Sequence, residues 1–309
     1  MDAYPFVYSA DSPMRIVYRT LERVFDSDAT VLIEGESGAG KDALAHWLHR
    51  NSTRSHAPFT KIDLGSLPGE LVESELFGYE RGAFTGALAT KLGKLDLSQR
   101  GTLVLDEIAN VDLRIQAKLL HVVEAKEFFR LGGNEPIALN CRIVALSSMP
   151  LSKALECKTF RQDLFFRLNL ISVTIPPLRD RRNEIVPMAE ALLHQLGRKY
   201  SVSVKLDRSS DAVLLSYDFP GNIRELRNGL ERAVLLRPSG DLVTPESLPA
   251  TWLAVRSASS QKLPSLEDME RRYIAEILKL THGRKIKAAG ILGISRKTLL
   301  EKRKKYNLL

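Results

Sequence analysis

Cysteine is scarce in this chain of 309 residues, which contains only Cys141 and Cys157. Two cysteines form neither a disulfide framework nor a four-cysteine zinc site. Apolar runs are also short, and none approaches the roughly 18–20 residues that a membrane-spanning helix requires. The first residues, which include Asp2 and Asp11, lack the basic and then apolar pattern of a secretory signal. These absences predict a cytoplasmic protein with no membrane segment.

Positive charge is concentrated at one end of the chain. The formal net charge is +8, and residues 264–309 hold twelve Lys and Arg against five Asp and Glu, a net charge of +7. The remaining 263 residues are therefore nearly neutral. A compact basic segment indicates an acidic polymer as partner, and nucleic acid is the usual one. Charge alone leaves open a solvated basic tail that has no partner.

Short apolar runs alternate with helical patterns in the first half of the chain. The runs lie at residues 30–33, 61–64, 102–105 and 142–146. Nearly continuous apolar strands separated by helices indicate a parallel sheet that is covered on both faces. We therefore predict an α/β core over residues 1–175, which ends at a Pro-Pro pair.

The second half of the chain has mainly helical spacing. Residues 184–200 and 209–236 predict helices, with 202–204 as the only strand candidate between them, and together they indicate a helical subdomain over 176–253. Small residues at 254–263 predict a linker. Ser265 and Asp268 then form a helix-capping pattern, which predicts an all-α domain over residues 264–309.

A glycine-rich loop lies between the first apolar run and a helical segment at 42–49. This setting is typical of the GxxxxGK phosphate loop, in which glycines let the backbone wrap a phosphate chain and the lysine neutralises its charge. The alternative is a glycine-rich turn that binds nothing. Asp42 stands where many such loops place a magnesium-binding Ser or Thr. The nucleotide-binding candidates are Gly35, Glu36, Ser37, Gly38, Ala39, Gly40, Lys41 and Asp42.

Two acidic residues, Asp106 and Glu107, follow the third apolar run. A strand that ends in this way places both carboxylates at the carboxyl edge of the sheet, where open α/β folds bind ligands. Asp106 would hold Mg²⁺, directly or through water, and Glu107 would orient or deprotonate an attacking water. Alone, such a pair usually marks a solvated strand end. Its combination with the phosphate loop favours a catalytic site.

Between these two sites lies a second glycine-flanked loop, which contains an aromatic residue. Its sequence, GAFTGA, resembles the signature loop of the bacterial enhancer-binding proteins, the AAA+ activators of sigma-54 RNA polymerase. The resemblance continues through residues 159–167, 176–179 and 219–226. An exposed Phe on a loop indicates a partner surface; the less favoured alternative is that it packs under its own loop. The residues concerned are Gly82, Ala83, Phe84, Thr85, Gly86 and Ala87.

This resemblance implies an AAA+ P-loop core, a helical lid, a helix-turn-helix domain and a set of residue roles. It implies ATP and Mg²⁺ as cofactors, and a loop that engages sigma-54 holoenzyme and moves with the nucleotide state. Lys41 is then the Walker A lysine, and Asp106 and Glu107 are the Walker B pair. Arg161 and Arg167 match arginines that a neighbouring subunit points into the ATP site, which implies a hexamer with hydrolysis at its interfaces. Arg224 matches a sensor arginine of the lid.

Several positions depart from the usual family pattern. Asp42 replaces Glu, Tyr79 replaces His, and Ser147-Ser148 replaces Thr-Asn. Asp63 replaces an Asn that gates Glu107, and these two carboxylates would repel unless a proton or a cation intervenes. Lys61, on the same face of that strand, is a candidate for the cation. The alternative function is therefore a weakly active co-activator subunit that works in a hetero-oligomer with a paralogue.

Residues 285–306 read as helix, turn and helix, and resemble the domain of the factor-for-inversion-stimulation type. Ser295 is placed to cap the second helix. Residues at its start usually contact bases of double-stranded DNA, here an upstream enhancer, while later basic residues contact phosphates. The base-contact candidates are Arg296, Lys297 and Thr298, and the phosphate-contact candidates are Lys302, Arg303, Lys304 and Lys305.

The family resemblance begins within about a dozen residues of Met1. We therefore expect no receiver domain in this chain, with control by a regulatory protein in trans, by expression level or by partner subunits. That organisation resembles the phage-shock activator and the paired, receiver-less activators of type III secretion genes, and the departures at Asp42 and the switch positions favour the latter. Another AAA+ remodeller, such as a helicase loader, is disfavoured by the intact GAFTGA loop.

Overall fold

The computed structural model of this protein describes residues 12–236, 241–253, 266–281 and 284–306. The chain divides into two compact units, residues 1–253 and 254–309. The division falls at the start of the predicted linker, which lies outside the described residues, as does Ser265 of the predicted cap. Within the described ranges, every helix is too short or too polar to cross a membrane.

A five-stranded parallel sheet forms the centre of the first unit, and its strand order is β2-β3-β6-β1-β7. This arrangement confirms the predicted α/β class. The order places β6 between the strand that leads into the phosphate loop and the strand that ends in the acidic pair. The strands are β1 Val31–Glu34, β2 Phe59–Asp63, β3 Thr102–Asp106, β6 Arg142–Ser147 and β7 Ile171–Thr174. A separate antiparallel pair is formed by β4 Glu127–Phe128 and β5 Ile137–Ala138.

Helices cover both faces of the sheet. Because successive side chains of a strand point to opposite sides, each strand contributes to two apolar cores. Leu32 packs into one apolar core, while its neighbours Val31 and Ile33 pack into the other. In the same way, Leu105 and Val104 belong to opposite cores. The covering helices are α1 Met14–Glu22, α2 Lys41–Arg50, α3 Gly69–Phe77, α4 Lys94–Leu97, α5 Leu113–Ala125, α6 Leu151–Glu156 and α7 Gln162–Leu168.

The helical subdomain has its own core, in which Phe219 and Trp252 are almost fully buried. The predicted helix over 209–236 is wrong in its middle: a turn with positive φ at Phe219 and Asn222 interrupts it, and Pro220 and Gly221 lie in that turn. The predicted strand at 202–204 instead forms at β8 Lys205–Leu206, which pairs with β9 Leu242–Val243. The helices are α8 Ile185–Tyr200, α9 Asp211–Ser216 and α10 Asn222–Leu236.

The second unit is a small helical domain whose described helices are α11 Leu266–Leu280, α12 Lys285–Ile291 and α13 Arg296–Lys305. Its core includes Ile274, Ala288 and Leu299, one from each helix. Gly293 lies in the turn between α12 and α13 with φ +66°. The Ser295 hydroxyl accepts a hydrogen bond of 3.0 Å from the Thr298 amide, which confirms the predicted N-cap.

Candidate functional site

The glycine-rich loop connects β1 to α2, as the sequence predicts. Its glycines adopt positive φ, including +76° at Gly38 and +108° at Gly40, which L side chains rarely tolerate. The Lys41 ammonium is buried and donates to the Gly35 carbonyl at 2.8 Å and to the Glu36 carbonyl at 3.3 Å. Burial lowers the pKa of Lys41, although three neighbouring carboxylates oppose this shift. They form the acidic edge of the site and belong to Glu107, Asp106 and Asp42. A buried cation at a helix N-terminus suits a polyphosphate.

The lid closes directly over this loop. The Ile223 amide donates to the Gly38 carbonyl at 3.0 Å. A Cβ atom on Gly38 would lie 2.3 Å from the Gly221 carbonyl oxygen, so only glycine permits this close approach. Arg224 donates from Nη1 to the Ser37 hydroxyl at 2.8 Å. The structure therefore brings the predicted sensor arginine to the phosphate loop.

Three further side chains hold the loop, and the sequence reasoning assigned them no role. Arg179 makes a bidentate pair with Glu36 at 2.6 and 2.9 Å, and these hydrogen bonds lower the pKa of Glu36. Arg181, which is buried, donates to the Ala39 carbonyl at 2.9 Å. Asn222 donates to the Ser37 carbonyl at 3.1 Å. Arg179 and Asn222 lie inside segments that carry the family resemblance. The sequence therefore singles out these segments, but it does not show which of their side chains contact the phosphate loop.

The acidic pair ends β3 at the carboxyl edge of the sheet, as predicted. Lys61 forms an ion pair with Asp106 at 2.7 Å and a second ion pair with Asp42. Burial raises the pKa of Asp106, and the hydrogen bond from Lys61 offsets only part of that effect. For Lys61 itself, burial opposes the charge, but the two carboxylates outweigh burial and raise its pKa. Lys61 is thus a cation of this edge, bound to Asp106 and Asp42.

The expectation that Lys61 separates Asp63 from Glu107 is wrong, since Lys61 pairs with Asp42 and Asp106 instead. Asp63 is satisfied locally, because its carboxylate accepts a hydrogen bond of 3.0 Å from the Gly65 amide. Glu107 instead accepts from the Ser148 hydroxyl at 2.6 Å and from the Ser148 amide at 3.4 Å. Glu107 also has φ +53°, an unfavourable conformation for a non-glycine residue. Ser148, which stands where the family usually has Asn, is therefore the hydrogen-bond donor that orients Glu107.

The residues at this edge fit a magnesium ion that is shared with a nucleotide. Magnesium is usually held by one or two carboxylates together with substrate phosphates and water. Asp106, with Asp42 beside the same lysine, supplies such carboxylates. No cluster of three or more His, Cys, Asp or Glu side chains suited to a metal occurs in the part of the chain that the structure describes. The donor set therefore suits a metal that arrives with phosphates.

Arg161 and Arg167 are not brought to the phosphate loop of their own chain. Arg161 pairs with Asp163 at 2.7 Å, and Arg167 pairs with Glu124 at 2.6 Å. Both arginines are exposed and lie at the start and end of the α7 segment. An exposed pair of cations on one short segment is accessible to a neighbouring molecule. Their role in trans stays a prediction.

The GAFTGA loop is largely exposed at its tip, while Ala87 at its end is buried. Phe84 retains 49% of its accessible surface. Its ring packs edge-on against Tyr79, with centroids 4.9 Å apart. Gly82 and Gly86 have φ of +86° and +107°, and a Cβ atom at either would meet no neighbour within 4 Å. Both possibilities left open for Phe84 are thus partly realised: it contacts its own loop base and is half exposed.

The base of this loop is held much more firmly than its tip. Arg130 bridges Glu80 at 2.8 Å and Asp96 at 2.7 Å. The Glu80 amide donates to the Leu131 carbonyl at 3.0 Å, and the Leu131 amide donates to the Gly78 carbonyl at the same distance. Movement of the loop tip therefore does not require these ion pairs and hydrogen bonds at the base to break.

In the second unit, the predicted DNA-contact residues lie along α13. Arg296 and Lys297 are exposed at its start, and Thr298 is half-buried because it takes part in the cap. Lys302 pairs with Glu270 of α11, so a phosphate contact by Lys302 would have to share or replace that partner. Arg303 is half-buried. The DNA-contact roles stay predictions.

Family models match three consecutive stretches of the chain. Residues 7–174 match the sigma-54 interaction domain, residues 179–264 the AAA+ ATPase lid domain, and residues 265–306 the bacterial regulatory protein, Fis family. The order of these matches is the order of the core, lid and helix-turn-helix regions described above.

Similar proteins match almost the whole chain. The transcriptional regulatory protein FlbD of Caulobacter vibrioides is 37% identical over 96% of this chain and 69% of its own length. The nitrogen fixation protein VnfA of Azotobacter vinelandii is 40% identical, but this chain covers only 58% of VnfA. The structure of NtrX from Brucella abortus in complex with ATP is similar with a TM-score of 0.73 and 30% identity, covering 98% of this chain and 70% of that one.

Proposed function

Since the chain belongs to the sigma-54-dependent activator family and is an AAA+ ATPase, we propose that it couples ATP hydrolysis to remodelling of sigma-54 RNA polymerase holoenzyme. One observation carries the proposal: a phosphate loop with a buried lysine and an acidic edge lies in the same compact unit as an exposed, glycine-flanked Phe. ATP hydrolysis at the phosphate loop can then act on a partner protein through the exposed GAFTGA loop.

At the nucleotide site, each residue has a distinct task. Lys41 neutralises the terminal phosphates from the helix N-terminus, and Arg224 extends from the lid to the same loop. Asp106 would hold a magnesium ion, which would supply charge neutralisation on the phosphate oxygens. Glu107, oriented by Ser148, positions the attacking water and accepts its proton. Arg179 and Asn222 keep the loop shaped for this task.

Completion of the site requires a second subunit. Arg161 and Arg167 are exposed in their own chain, where they pair with Asp163 and Glu124. Arginines supplied from a neighbour typically accelerate phosphoryl transfer by about 10³–10⁵. We therefore include a ring, a hexamer in this family, in the proposal. The partner subunits are either copies of this chain or a paralogue.

The second candidate function, a weakly active subunit of a hetero-oligomer, is favoured by the occupation of Asp106 by Lys61. A cation already bound to the magnesium-binding carboxylate weakens metal binding. ATPase assays of the chain alone and of the chain mixed with a candidate paralogue separate the two functions: activity of the chain alone supports the first, and activity that appears only in the mixture supports the second.

The helix-turn-helix unit is proposed to bind double-stranded DNA upstream of the promoter. The exposed start of α13 supports base contacts by Arg296 and Lys297, and the basic end of the helix supports phosphate contacts. The site of action is then the cytoplasm, where polymerase and DNA meet. Control by a regulatory protein in trans completes the proposal.

The experiment compares two variants in ATPase and promoter-opening assays. Thr85→Ala removes a hydroxyl from the exposed loop, so ATP hydrolysis should stay within about twofold of the parent while sigma-54 open-complex formation is lost. Lys41→Ala removes the buried cation of the phosphate loop, so nucleotide binding should weaken by at least about a hundredfold and both activities should disappear.

Two results would overturn the proposal. One is promoter opening at the parent rate by Lys41→Ala, since opening would then need no nucleotide. The other is full transcription by Thr85→Ala, which would remove the coupling role of the loop. Circular dichroism of both variants provides the folding control.

A further inference from the structure

Lys61 links three separate elements at the acidic edge. It lies on β2, whose register with β3 places Lys61 beside Val104 and Asp63 beside Asp106. Its ammonium reaches across to Asp106 at the end of β3 and to Asp42 in the first turn of α2. The lysine therefore joins the two carboxylates that flank the position expected for magnesium.

The environment gives this ion pair more weight than a surface pair. The Asp106 side chain is only 13% exposed and that of Lys61 34% exposed. Partly buried charges are less screened by solvent than exposed ones, and the removal of one partner leaves the other uncompensated. Lys61 thus neutralises a carboxylate that otherwise repels phosphate and attracts metal.

We propose that Lys61 is a tethered cation that competes with magnesium for Asp106 and so sets how strongly nucleotide binding depends on the metal. The proposal rests on the nucleotide site proposed above. With magnesium present, Lys61 has to release Asp106 before that carboxylate is free to take the metal. Without magnesium, Lys61 offsets the repulsion between the acidic edge and the phosphates. It is a positioning residue, since it acts through Asp106.

The test measures the affinity of the full-length protein for methylanthraniloyl-ATP by fluorescence, with saturating magnesium and with EDTA. The ratio of the two affinities expresses the metal dependence. In Lys61→Met, Asp106 is free for metal and the unmasked carboxylates repel metal-free nucleotide. We expect the ratio to rise by about tenfold, the change that follows from a charged hydrogen bond of about 1.4 kcal/mol.

Three variants serve as controls. Lys61→Arg retains a cation and should keep the ratio close to that of the parent. Lys61→Gln removes the charge in a side chain of similar length, and it should raise the ratio even if Lys61→Met fails to fold. Lys199→Met removes a lysine that pairs with Glu231 in the lid, away from the acidic edge, and should leave the ratio unchanged.

The outcomes separate this proposal from the proposed function. Equal ratios in the parent and both neutral variants overturn the role of Lys61 alone. Loss of binding by the neutral variants in saturating magnesium also overturns it, because Lys61 would then be a phosphate ligand. Failure of the parent to bind the nucleotide under both conditions overturns the proposed nucleotide site itself.

Discussion

The phosphate loop and the GAFTGA loop are both rich in glycine, but they are supported in opposite ways. The phosphate loop is enclosed by the lid, with Arg179, Asn222 and Arg224 bonded to its backbone or side chains. The GAFTGA loop is fixed at its base, while the Cβ positions of Gly82 and Gly86 face open space.

This difference distinguishes two roles of glycine with positive φ. In the phosphate loop, glycine is needed both for backbone conformation and for the close approach of the lid. In the GAFTGA loop it is needed for conformation alone. A preformed cradle suits a small charged ligand, because little ordering remains to be done on binding. A half-exposed aromatic on a sparsely packed tip suits a macromolecular surface.

The same substitution at a glycine of each loop gives the largest contrast. Gly82→Ala should lower the free energy of unfolding by about 1–2 kcal/mol, the usual penalty for a left-handed alanine, and leave nucleotide affinity unchanged. Gly38→Ala carries that penalty and also places Cβ 2.3 Å from the Gly221 oxygen, which displaces the lid. We expect it to cost at least about 3 kcal/mol and to weaken nucleotide binding more than about tenfold.

Denaturant unfolding and fluorescent-nucleotide titration of both variants make this comparison. Equal losses of stability and affinity would mean that the lid does not depend on its close contact with the phosphate loop. A greater loss of nucleotide affinity in Gly82→Ala would reverse the comparison altogether.

A smaller effect is expected from substitution of Ser148. It tests whether the acidic edge is as preformed as the phosphate loop. Ser148→Ala removes the 2.6 Å donor to Glu107. A hydrogen bond to a charged group contributes about 1.5–3 kcal/mol, so the kcat for ATP hydrolysis should fall by at least about tenfold with nucleotide affinity little changed. Steady-state ATPase assays and nucleotide titration provide the measurements.

Ser148→Thr retains the hydroxyl and serves as the matched control. Asp63→Asn is the contrasting variant, because Asp63 bonds to the Gly65 amide rather than to Glu107. If Asp63→Asn changed the kcat more than Ser148→Ala, Asp63 rather than Ser148 would govern Glu107, in conflict with the observed contacts.

Local patterns in the sequence were sufficient for four strands of the central sheet, the phosphate loop and the acidic pair. Apolar runs give β1, β2, β3 and β6, but β7 was not predicted, because Ile171 and Val173 alternate with polar residues instead of forming an apolar run. A GxxxxGK segment between a strand and a helix requires no distant information. The turn within the predicted 209–236 helix does not show in the periodicity, because helical spacing continues on both sides of Pro220 and Gly221, although that Pro-Gly pair is itself a turn signal.

Contacts between distant residues were beyond sequence reasoning. Asn222 donates to Glu36 across 186 positions, and this contact exists only once the lid has folded onto the core. The partners of Lys61 were likewise misjudged, since period-2 spacing identifies the face of β2 but not which carboxylates from α2 and β3 reach that face. Prediction of those partners requires the packing of three elements.

The smallest expected effect concerns the contact between Tyr79 and Phe84, and it tests how weakly the GAFTGA tip is held. An edge-on aromatic pair contributes about 0.5–1.5 kcal/mol, so its loss should raise amide hydrogen exchange in residues 82–87 by roughly two- to tenfold. Tyr79→Ala is the test variant, and Tyr79→Phe, which keeps the ring, is the control. Exchange in the phosphate loop should not change, since its bonds to the lid are independent of this ring pair. Unchanged exchange of the tip in Tyr79→Ala would mean that the firmly bonded base alone governs the loop, and the contrast between the two loops would then be one of exposure rather than of mobility.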